Sequence, residues 1–132
     1  MRTLIASDDQ PMAQRVQTAL HDQRLDCPTG HVVPLNSIAD RSGLAHPDLI
    51  VFVMPDNLRL GLAALRETRN TSPYVHVLAL GPATDPKLIL ETLKQGADEF
   101  LDWQNVEPEL AGALERFRSQ YVRREVGPKS GR

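Results

Sequence analysis

Three runs of this chain, "TLIAS" at 3–7, "DLIVFVM" at 48–54 and "YVHVLAL" at 74–80, are apolar almost without alternation, and a segment with helical spacing follows each. Strands that read this way are covered on both faces, as in a parallel sheet. After the first run, Pro11 is tolerated in an opening helical turn, and Ala13, Val16, Ala19 and Leu20 recur at helical intervals. The second helical pattern is 58–69, "LRLGLAALRETR". The third, "TDPKLILETLKQG", has Asp85 as N-cap, Pro86 at the first helical position and Gly96 at its end. "EFLD" at 99–102 reads as another strand, and "EPELAGALERFRSQYVRRE" at 107–125 as a closing amphipathic helix. Residues 25–46 are less regular: their strand falls at 25–27 or 31–33, and a short helix near 37–44. Strand–helix units repeated five times predict an α/β parallel sheet with helices on both faces.

A chain of 132 residues is long enough for one real core and too short for two. Net charge is −2, which does not advertise binding to nucleic acid or to an anionic membrane. The single Cys27 excludes an internal disulfide and a Cys-rich zinc site, and fits a reducing, cytoplasmic setting. No apolar run reaches the length of a membrane span, so membrane insertion is not expected. The expected domain is 1–124. Residues 125–132, ending in "VGPKSGR", have no apolar pattern and read as a tail or a linker to a following domain.

The first strand ends in "ASDDQP", with Asp8 and Asp9 adjacent. Neighbouring carboxylates at ~4 Å repel by about 1 kcal/mol in water and about 4 kcal/mol at an effective dielectric of ~20. Such a pair at the carboxyl end of a strand stands where parallel α/β sheets place their working crevice. It is a candidate ligand set for a divalent cation, weak by itself. The plainer reading is that the acids cap the first helix, whose positive end favours them.

"LIASDDQP", "HPDLIVFV", "GLAALRETR" and "LKQGADEFLD", in this order, resemble the receiver domains of bacterial two-component response regulators, over residues 2 to 122. The resemblance implies a flavodoxin-like (βα)5 three-layer sandwich with a five-stranded sheet of order 2-1-3-4-5. It also implies five chemical positions: two acids for Mg²⁺, an aspartate that accepts phosphate, a hydroxyl, and a lysine. The acids match Asp8 and Asp9. The acceptor position is occupied by Val53, the hydroxyl position by Gly81 (or Ala79, if the loop differs by two residues), and the lysine position by Trp103. Valine forms no acyl phosphate and offers no oxygen to a metal, so the resemblance is to a degenerate, or pseudo-, receiver. "LALGPATDPKLILETLKQGADEFLD" is most similar to the N-terminal atypical receiver domains of Tad/Cpa-type pilus-assembly localisation proteins, in which an ATPase domain follows.

The expected activity is therefore non-catalytic: a signalling or localisation module working by protein contact. The family's usual face of helix 4, strand 5 and helix 5 would bind a partner or a second copy, presenting Lys87, Lys94 and Trp103. Trp103 reads equally as packing for the end of the fifth strand. Two rivals remain: a phosphorylated receiver using a displaced acid such as Asp56, and a small-ligand module, against which the chain lacks a glycine-rich phosphate loop. Ser7 has no nearby activating base, His76 reads as a strand residue facing a helix, and Cys27 as a small buried side chain. Arg116, Arg118, Arg123 and Arg124 read as a solvated helix face.

Overall fold

The computed structural model describes the backbone of residues 1–130 and the side chains of residues 1–120. Five strand–helix units run in order: β1 (Thr3–Ala6), α1 (Gln10–Asp22), β2 (Val32–Val33), α2 (Ile38–Ala45), β3 (Leu49–Val53), α3 (Leu58–Thr71), β4 (His76–Gly81), α4 (Pro86–Lys94), β5 (Glu99–Asp102) and α5 (Val106–Ser130). All strands pair in parallel, in the order β2-β1-β3-β4-β5. Both are as the sequence and its resemblance predict. The second strand is the later of the two alternatives and only two residues long. α5 covers residues 125–130 of the expected tail, while 131 and 132 lie outside the described residues.

The central strands are sealed on both sides, which is why they do not alternate. In β3, residues 49–52 are fully buried and Val53 is 3% exposed. Ile5, Val51, Val53, Leu78, Leu80 and Leu101 face α1 and α5 and meet Ala13, Val16, Leu110 and Phe117. The opposite face, with Leu4, Ala6, Ile50, Phe52, Met54 and Ala79, packs under Ile38 of α2, Leu65 of α3 and Leu88 of α4.

Local signals set the helix ends. Asp85 accepts from the N–H groups of Lys87 and Leu88, ahead of Pro86. Gly96 follows α4 at φ +126°, and a Cβ there would lie 2.9 Å from Arg69 Cγ, so glycine is needed twice over. Arg69 uses its whole guanidinium fork at this end of the sheet. It donates to the carbonyls of Gly96, Pro73 and Val75 and to Asp98 Oδ2. His76 is buried and stacks on Phe117 of α5, with ring centroids 4.7 Å apart. Cys27 is also buried, and burial pushes its thiol up to about 11.

Candidate functional site

The carboxyl ends of β1, β3, β4 and β5 gather the residues that the sequence singles out. Both acids here have local work. Asp9 is the N-cap of α1, its Oδ1 accepting from Met12 N–H at 3.1 Å. Asp8 reaches across to the β2–α2 connection, where its Oδ1 accepts from the N–H of buried Leu35 at 3.0 Å. Ser7, buried beneath them, exchanges hydrogen bonds with the backbone of Asp9: it receives the N–H and donates to the carbonyl, both at 3.0 Å. Asp56 is exposed on the loop before α3, and its neighbour Asn57, not Asp56, caps that helix. Among the described residues, no three His, Cys, Asp or Glu side chains gather closely enough to hold a metal ion.

Val53 closes β3 inside the α1/α5-side core. At the end of β4, the space beside Gly81 is filled. A Cβ on Gly81 would lie 2.8 Å from Phe100 Cζ, 3.3 Å from Phe100 Cε2 and 3.4 Å from Met54 Cγ. Phe100 stands opposite Ala79 in the β4–β5 register and lays its ring across the niche at residue 81. The sequence reading did not single out Phe100 or Met54. The β4–β5 register brings Phe100 to Gly81, and Met54 reaches it from just beyond β3.

Beyond β5, Asp102 caps a short turn, Trp103–Asn105, accepting from Gln104 N–H at 3.0 Å and from Asn105 Nδ2 at 3.2 Å. The N–H of Asp102 donates to Glu109 Oε1 of α5 at 3.0 Å, which blocks part of the free sheet edge. Trp103 is half-buried and packs against the α1/α5-side core. Lys87 and Lys94 stand on the other side of the sheet, on α4, both exposed. The three residues are thus divided between the two layers.

On α4, Leu88 and Thr92 turn inward, while Leu90 is 56% and Leu93 38% exposed. The phase of Leu90, half a turn away from Leu88, was the sequence signal for these outward leucines. α1 is tied to α5 by Arg15 and Glu107, with two contacts of 2.8 and 2.9 Å. The hydrogen bonds from Arg15 hold the Glu107 carboxyl down at about 2. Within the basic stretch, Arg116 pairs with Glu99 and Arg118 donates to the carbonyl of Gln23. The side chains of Arg123 and Arg124 lie outside the described residues. No described helix is long and apolar enough to cross a membrane.

No protein-family model matches this sequence, and no curated protein matches it. Solved structures do. The pilus-assembly protein CpaE of Burkholderia thailandensis is 20% identical, with 89% of this chain and 97% of that one covered at a TM-score of 0.73. The CheY-like protein TadZ of Pseudomonas aeruginosa is 19% identical, covering 89% and 93% at 0.69. The signal receiver domain of the response regulator NarL from Mycobacterium tuberculosis is 18% identical, covering 89% and 95% at 0.73. At these identities the likeness shows the fold: this chain has the fold of response-regulator receiver domains and of the pilus-assembly proteins that share it.

Proposed function

From that receiver fold, we propose a cytoplasmic signalling or localisation module that acts by protein contact, performs no catalysis and takes no phosphate on an aspartate. The observation that carries this reading is the filling of the strand ends. Val53, where the resemblance puts an acceptor, is an apolar side chain sealed in the core. The niche at Gly81, where a hydroxyl would stand, holds the Phe100 ring, and Trp103 replaces an ammonium with an indole packed on the core. Mg²⁺ wants several hard oxygen ligands in near-octahedral array. The site offers two carboxylates, each with an oxygen already accepting a backbone N–H, and among the described residues no metal-holding cluster of three His, Cys, Asp or Glu forms around them. The donor set does not fit the ion.

The name of the CpaE structure points the module toward pilus assembly, and the sequence resemblance to Tad/Cpa-type proteins implies a place at the N-terminus ahead of an ATPase. Contact runs through the face of α4, β5 and α5, where α4 carries Leu90, Leu93, Lys87 and Lys94 outward. The test is phosphotransfer from acetyl phosphate with Mg²⁺, followed by intact mass. The expected spectrum is that of the unmodified chain. A phosphoryl adduct that hydroxylamine removes and that Asp56→Asn abolishes would overturn the reading in favour of a displaced acceptor.

A further inference from the structure

We draw no further inference here: the strongest candidate, the cavity of about 440 Å³ at the amino ends of β1 and β3 lined by Arg2, Thr3, Asp26, His31, His46 and Asp48, sets acids beside a guanidinium, its unpartnered Thr3 hydroxyl and His31 Nδ1 are sealed from solvent, and nothing in the structure shows which ligand chemistry it would select.

Discussion

Replacing Gly81 with alanine puts a methyl group where the Phe100 ring now lies. The new Cβ would be 2.8 Å from Phe100 Cζ and 3.4 Å from Met54 Cγ, and the nearer contact is shorter than real Cβ atoms show. Overpacking a well-filled site costs about 1–3 kcal/mol. Two effects reduce that. Alanine restricts the unfolded chain, which gives back about 0.4–1 kcal/mol. Phe100 is half-buried on an edge strand and has room to swing outward. The expected net loss is therefore about 1–2 kcal/mol, or a fall of roughly 3–6 °C in melting temperature for a domain of this size. Urea unfolding should show the midpoint shift with an unchanged slope. The penalty belongs to one contact, so it should disappear in a Phe100→Ala background, and the double-mutant cycle isolates it. An equal loss in both backgrounds, or a stabilised Gly81→Ala, would refute the claim that Phe100 fills the niche at residue 81.

The same reasoning applies to the acids and the two arginine clamps. Asp9→Ala removes an N-cap and should cost about 1 kcal/mol, and Asp8→Ala, which orphans the N–H of buried Leu35, about 1–3 kcal/mol. Both losses should be measurable in chelator. If either substitution stabilises the chain, the pair is held against its own repulsion and the capping account is wrong. Arg69→Lys keeps the charge but not the planar fork that reaches three carbonyls and Asp98, and should cost about 2–3 kcal/mol in chemical denaturation; a loss within error of zero would remove Arg69 as the tie between α3 and the β4 and β5 entrances. Glu107 is held down at about 2 by Arg15, so its contribution is complete above its ordinary value near 4.5 and is lost as pH falls toward 2. The stability difference between the wild type and Glu107→Gln should shrink over that window. It should be small throughout, because both partners are about half exposed and screened by solvent.

The sequence carried the fold well where burial alone decides it. β3 is an unbroken apolar run, and β4 is one after His76, because both faces are covered, and Asp85 and Pro86 start α4 by local chemistry that needs no tertiary contact. β2 was ambiguous because a two-residue edge strand has too little length for a pattern, and its pairing with Ile5 and Ala6 decided between the alternatives. The end of α5 was misjudged: the polar stretch 126–130 has no apolar pattern to mark it as helix. At the site, Val53, Gly81 and Trp103 were singled out only through the resemblance, and what packs around them was not legible. Phe100 reaches Gly81 through strand register, and Asp8 finds Leu35 across a loop, so neither partner leaves a mark in the local sequence. Arg69 is the extreme case. Every group it binds is a backbone carbonyl or Asp98, brought to it by two connections, α3–β4 and α4–β5.

The account stands on the strand ends being closed to phosphate. The direct measurement is a nitrogen–proton correlation spectrum of the chain titrated with beryllofluoride and Mg²⁺, followed at the amides of Asp8, Asp9, Val53 and Gly81. The account predicts amide shifts no larger than those from a monovalent salt control at equal ionic strength, up to millimolar ligand. Saturable shifts at these four amides that need both Mg²⁺ and beryllofluoride would contradict it.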